Sequence, residues 1–192
     1  MLLLDRKTKA SKRREKIRKE FWASEDPWTG ENEKGWFRAP RTLPLLLGLI
    51  GSKELSGKYD PTRVYLELLA RHIDGGVIEM STDEDHSYSA GYQSNRSVRS
   101  WQERMKVLEK IGLIKTKQIG NQAYKYVFLV HPTSVIKRLH DENKISQRWW
   151  DTYRARQMET GEAPFEERMK MMAKKVISLV PGRVKGKHRA AR

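Results

Sequence analysis

The sequence predicts a mainly α-helical protein with a small antiparallel β-hairpin, extended by additional helices at its N- and C-terminal ends. Three observations predict it. Apolar residues recur at helical spacing in several separate segments, most plainly at Val98, Trp101, Met105, Leu108 and Ile111. Alternation of apolar and polar residues is concentrated in one region, "LIKTKQIGNQAYKYVFLV" from Leu113 to Val130, where "GNQ" supplies the turn. Proline or glycine stands at many of the places where helical periodicity starts or stops.

Taken in order, the chain opens with a basic arm. From Met1 to Glu20 nine residues are basic and three acidic, which suits a solvated segment and a nucleic-acid contact equally. The stretch "ASEDPWTGENEKGWFRAP" has turn residues and little periodicity, so residues 1–41 form an arm and linker, which Trp22, Trp28 and Trp36 are expected to pin to the domain. Thr42 is placed to cap a helix with Pro44 at its second position, ended by Gly51 or Gly57. In "YDPTRVYLELLARHIDGG", Asp60 is the cap and Pro61 the first helical residue. Val64, Tyr65, Leu68, Leu69 and Ile73 make the apolar stripe, and Gly75 and Gly76 the stop. "GVIEM" is a short strand. Ser81, three residues before Glu84, has the capping-box spacing for a short helix ending at Gly91, with acid at its positive end.

Ser94 then caps a helix from about Asn95 to Ile111. Its apolar positions share one face, while Arg96, Arg99, Glu103, Lys106 and Lys110 fall opposite, and Gly112 supplies the left-handed exit. In the hairpin that follows, Lys115, Lys117 and Lys125 are expected on the less apolar face. Residues 42–131 thus make one domain. Residues 132–182 read as a helical extension in which Val135, Ile136 and Leu139 join the core. Trp149, Trp150 and Tyr153 form an aromatic cluster there, and Phe165, Met169, Met172, Val176 and Val180 an amphipathic stripe ended by Pro181 and Gly182. Cluster and stripe either fold back on the domain or make a homodimer contact. The tail, residues 183–192, is basic, with no acid.

Charge narrows the partner. Among 192 residues, 39 Lys and Arg stand against 24 Asp and Glu, a net charge of +15. Such an excess draws a polyanion by electrostatic steering and counterion release, with nucleic acid first and an anionic membrane second. Lys170, Lys174 and Lys175 on the polar face of the final helix have the pattern of an interfacial helix, although core or dimer packing is the commoner use of such a stripe. The longest apolar run, "LPLLLGLIG", falls far below the roughly 20 residues that span a bilayer. "MLLLDRKTK" sets its apolar residues ahead of its charges, the reverse of a secretory signal, so a cytoplasmic location without membrane insertion is expected.

Chemistry on bound substrates finds little support. There is no cysteine for a disulfide, a thiolate nucleophile or a cysteine zinc site. His72, His86, His131, His140 and His188 lie in unrelated segments with no His-Glu-x-x-His pair. The acids of "TDEDH" suit the positive end of a helix better than a metal cluster. Gly48 and Gly51 lack the context of a phosphate loop. No enzyme, catalytic residue, metal or cofactor is expected.

The order helix, short strand, helix, helix and hairpin, from about Asp60 to His131, resembles the winged helix-turn-helix DNA-binding superfamily. Its most telling piece is "SNRSVRSWQERMKVLEKIGLI", which looks like a recognition helix leading into the wing, and "LEKIGLI" is a common ending in bacterial winged-helix regulators. "FRAPRTLPLLLGLI" followed by "RVYLELLARHIDGGVIEM" is similar to bacterial proteins of plasmids and other mobile elements. The resemblance implies that the start of the third helix enters the major groove of double-stranded DNA while the wing follows the backbone. Ser94, Asn95, Arg96, Arg99, Ser100 and Glu103 would then lie near the bases. Arg96 or Arg99 suits a guanine edge, Asn95 an adenine, and Glu103 a cytosine amine, although a bridge from Glu103 to Arg99 is its commoner use. Lys115, Lys117, Asn121, Gln122 and Lys125 would meet phosphates. The implied function is transcriptional regulation, or an accessory role in replication or partition of a mobile element. RNA binding, as in a ribosome-associated protein, is the alternative.

Overall fold

The computed structural model describes residues 9–21, 37, 39–72 and 76–179. The chain divides into two units, residues 1–36 and 37–192. In the first, α1 runs from Lys9 to Phe21. Lysine, arginine, alanine and glutamate are all good helix formers, so a segment read as a basic arm still takes regular structure. Trp22, Trp28 and Trp36, expected to pin the linker, lie outside the described residues.

The second unit is mainly α with a small antiparallel sheet, as expected. Its helices are α2 (Leu43–Ile50), α3 (Lys53–Ser56), α4 (Thr62–Arg71), α5 (Asp83–Ser89), α6 (Ser97–Ile111), α7 (Pro132–Asp141), α8 (Gln147–Thr160) and α9 (Phe165–Leu179). Three strands, β1 (Val77–Glu79), β2 (Ile114–Ile119) and β3 (Gln122–Leu129), pair antiparallel in the order β1-β3-β2. The core gathers one face of each principal element: Leu46 and Ile50 from α2, Val64 and Leu68 from α4, Trp101, Met105 and Leu108 from α6, Ile78 and Val127 from the sheet. Val135, Ile136 and Leu139 of α7 join it, so residues beyond His131 complete the same core.

Several expected boundaries shift for identifiable reasons. α4 begins at Thr62, one residue later than expected, with Pro61 in the N-cap position; Asp60 lies just outside the helix and its Oδ1 accepts the Thr62 amide at 2.9 Å. Thr42 precedes α2, but its hydroxyl donates to Glu162 Oε2 at 2.7 Å instead of capping, tying the start of α2 to the α8–α9 turn. The cap of α5 is Thr82, one residue after the expected Ser81, and it accepts the Asp85 amide. Ser81 turns to His86 instead. α4 ends at Arg71; Ile73 and Gly75 lie outside the described residues. The expected pairing of Ser94 with a helix from Asn95 also changes: Asn95 and Arg96 occupy a turn and the helix begins at Ser97.

α6 exits as its glycine dictates. Gly112 has φ +84°, and a Cβ there would lie 2.6 Å from Arg138 Nη2, whose guanidinium donates to the Ile111 carbonyl at the negative end of the helix. β2 and β3 then turn through Gly120 and Asn121, with positive φ at the glycine alone. A pairing irregularity between Lys117 and Ile119 turns Tyr124 inward, edge-on to Trp101 at 5.3 Å. Lys125 is out of register with the other two lysines: Lys117 pairs with Tyr126, so its neighbour Lys125 is one residue out of phase, but its ammonium reaches round to Glu79 at 2.9 Å and lies 6.0 Å from the centre of the Tyr126 ring.

Candidate nucleic-acid interface

The start of α6 is shaped by what is missing from it. No side chain caps its first amides and no acid lies in its first turn. Ser94 Oγ reaches the Arg96 amide at 3.4 Å, outside the usual range, while the Ser94 carbonyl accepts from Ser97 at 2.9 Å. Ser94, Asn95, Arg96 and Arg99 are exposed and Ser100 half-buried. Two arginines therefore stand at the positive end of a helix dipole, where an anion is favoured.

The geometry divides the expected contacts into available and committed side chains. Arg99 is 78 % exposed and lies 3.5 Å from Glu103, which is 25 % exposed. Glu103 also accepts from Tyr59 at 3.1 Å, so its carboxylate is held by two neighbours. In the hairpin, Lys115, Lys117 and Asn121 are exposed. Gln122 instead donates to the carbonyls of Met80 and Ser81, and Lys125 reaches Glu79 and the Met80 carbonyl. Those two residues brace the hairpin against the β1–α5 corner.

Sequence reasoning missed two cations, one on α6 itself and one in the segment before α4. Arg104 donates to the carbonyls of Asp60 and Ser100 at 3.0 and 2.7 Å and lies over the Tyr92 ring at 4.8 Å. Lys58 lies over the Tyr59 ring at 4.8 Å. The helical wheel identifies Arg104 as lying near the boundary of the two faces, but its partners come from distant parts of the chain.

A second polar group was also missed. Buried His86 stacks on Trp101, lies 3.0 Å from Glu67 Oε1 through Nδ1, and accepts the Ser81 amide at Nε2, also at 3.0 Å. The amide donor requires Nε2 to be unprotonated, which leaves the Nδ1 proton for Glu67. Ser81 Oγ is 3.2 Å from the same Nε2. Serine, histidine and carboxylate in this order can activate a nucleophile. Here, however, the Ser81 amide already holds the lone pair, so the group joins α4 to the β1–α5 corner. Arg71 donates to the same Glu67 oxygen and, at 3.0 Å, to Ser89.

Elsewhere, a cleft of about 330 Å³ is lined by Leu43, Tyr65, Leu69, His72, Leu129 and His131, among others. His131 caps α7 by accepting the Thr133 amide at Nδ1, and burial, aided by the charge of Arg168, pushes its pKa down to about 4. The aromatic cluster of α8 folds back: Tyr153 is buried, stacked on Trp149, and its hydroxyl lies 3.3 Å from Thr133. Trp150 stacks on His140 at 4.3 Å. Of the α9 stripe, Met169 is exposed, while the side chains of Met172 and Val176, and all of Val180, Pro181 and Gly182, lie outside the described residues, as does the tail. Among the described residues no helix is long and apolar enough to cross a membrane.

Compared with protein-family models, curated proteins and solved structures, the chain matches none of them significantly.

Proposed function

We propose that this chain is a sequence-specific double-stranded DNA-binding protein of winged-helix type, acting as a bacterial transcriptional regulator or as a replication or partition accessory of a mobile element. The observation that carries the reading is the start of α6. An uncapped helix end presents Arg96 and Arg99 outward, and the opposite face is anchored in the core by Trp101, Met105 and Leu108. Burial of one face fixes the direction of the other, so the arginines are held ready for a groove with little ordering on binding. The element order from α4 to β3 and the net charge of +15 support the same reading.

In this arrangement Arg96, Arg99 and Asn95 read base edges. Lys115, Lys117 and Asn121 contribute contacts that do not depend on sequence. Glu103 holds Arg99 in place. Binding occupies a site without chemical conversion. Palindromic sites follow if two copies associate through the C-terminal helices, where Met158, Met169 and Met171 are exposed.

The test is selection of bound fragments from random duplex DNA, followed by titration of the selected duplex and of structured RNA at physiological salt. The expected outcome is a selected motif bound at least tenfold more tightly than the RNA. Tighter RNA binding, or no enriched motif, overturns the reading.

A further inference from the structure

The sheet has two faces, and the one turned from the core is unusual. Register places Val77, Phe128 and Lys115 in one row across the three strands, and Glu79, Tyr126 and Lys117 in the next. Ile78 and Val127, on the other face, are buried. On the outer face Val77 is 54 % exposed, Phe128 42 % and Tyr126 37 %. Single exposed apolar residues need no explanation, but neighbouring ones on the central strand and its partner form a patch. Each ring has a lysine directly across on β2, about 5 Å away at Cβ. Lys115 and Lys117 have no ion-pair partner among the described residues, whereas the acid of this face, Glu79, is neutralised by Lys125 at 2.9 Å.

We propose that this face binds unpaired DNA, with successive bases stacked on Phe128 and Tyr126 and the phosphates running past Lys115 and Lys117. The rings are two residues apart on one strand, roughly 6.6 Å. Bases stacked within a duplex strand are about 3.4 Å apart. Only a strand pulled out of the stack can place adjacent bases on both rings, and in a duplex the base faces are inaccessible. Flat aromatic surfaces beside cations are how proteins hold single strands without strong sequence preference. A second copy of the chain suits the face poorly, because it would bring another strongly positive molecule against the two lysines. The choice of DNA over RNA rests on the duplex reading above. Together the two surfaces describe a protein that grips a duplex through α6 and retains a displaced strand on its sheet.

The test uses the full chain with labelled poly(dT), poly(U) and the selected duplex at physiological salt. Phe128→Leu and Tyr126→Leu each weaken poly(dT) binding about tenfold and leave duplex binding unchanged. Exchange of Lys115 and Lys117 for glutamine weakens both. Unchanged poly(dT) binding in the double leucine variant overturns the proposal, and poly(U) bound more tightly than poly(dT) through the same rings overturns its assignment to DNA. Photo-cross-linking of the wild-type protein to iododeoxyuridine-substituted strands provides a readout independent of the variants' folding. Adducts are expected on the peptide containing Tyr126 and Phe128, and adducts found only elsewhere overturn the proposal. Single-strand binding that persists where the selection finds no duplex motif sinks the duplex reading alone.

Discussion

α5 and α6 follow one another in the chain, pack together, and treat their first turns in opposite ways. α5 begins with a threonine cap and three acids, Asp83, Glu84 and Asp85. Asp83 further accepts from Gln102 of α6 at 2.7 Å. Its positive end is satisfied within the fold. α6 begins with no capping side chain and no acid, and with Arg96 and Arg99 where negative charge is favoured. A helix end of the first kind contributes to stability. One of the second kind leaves stabilisation unclaimed, and an external anion can supply it.

The largest effect should come from removing the arginines. Arg96→Ala with Arg99→Ala is expected to weaken the selected duplex at least tenfold and to lower the dependence of binding on salt, with little change in stability, as read by anisotropy titrations at several salt concentrations. The effect is larger on specific than on nonspecific duplex. Equal losses would remove α6 from base reading.

Arg96→Asp sharpens the contrast, because stability and binding should move in opposite directions. Making the start of α6 resemble that of α5 should stabilise the protein by about 0.3–1 kcal/mol in urea unfolding while duplex binding falls by more than tenfold. A variant that binds normally would show that the first turn does not face DNA.

Thr82→Ala is expected to destabilise by about 1 kcal/mol, since it removes a working cap, and to leave DNA binding unchanged. His131 is the cap that titrates. Its folded pKa is depressed, so the unfolded chain takes up the proton first. That stability is fully present above the ordinary histidine pKa near 6.5 and is lost as pH falls towards about 4. His131→Asn retains a capping acceptor, and the decline of Tm over that interval should flatten. The smallest effect belongs to Ser94→Ala, within about 0.5 kcal/mol, because its side chain lies too far from the Arg96 amide to cap well.

Much of the fold was legible because its signals are local. The spacing of Trp101, Met105, Leu108 and Ile111 selects the buried face of α6. Gly112 marks its end, and alternation marks the hairpin. The short strand β1 was recognisable as a strand but not as a partner of β3, since three residues carry no record of what they pair with. The candidate site was legible in part. Arg96, Arg99, Lys115 and Lys117 were found by charge and position, but that Gln122 and Lys125 are held by the β1–α5 corner was not. The buried His86–Glu67 pair was invisible because its members lie on separate helices, and Glu67 falls in a segment whose apolar stripe hides it.

By itself the sequence determined where most of the helices and strands form and which face of α6 is buried, because propensity and periodicity belong to neighbouring residues; the net charge, which belongs to the whole chain, is what makes a polyanion the proposed partner. Tertiary structure alone decided which cations remain available and that two aromatic rings share an open sheet face with lysines. Those outcomes depend on strand register and on partners such as Glu79 for Lys125 and Tyr59 for Glu103, which only the folded chain brings within reach.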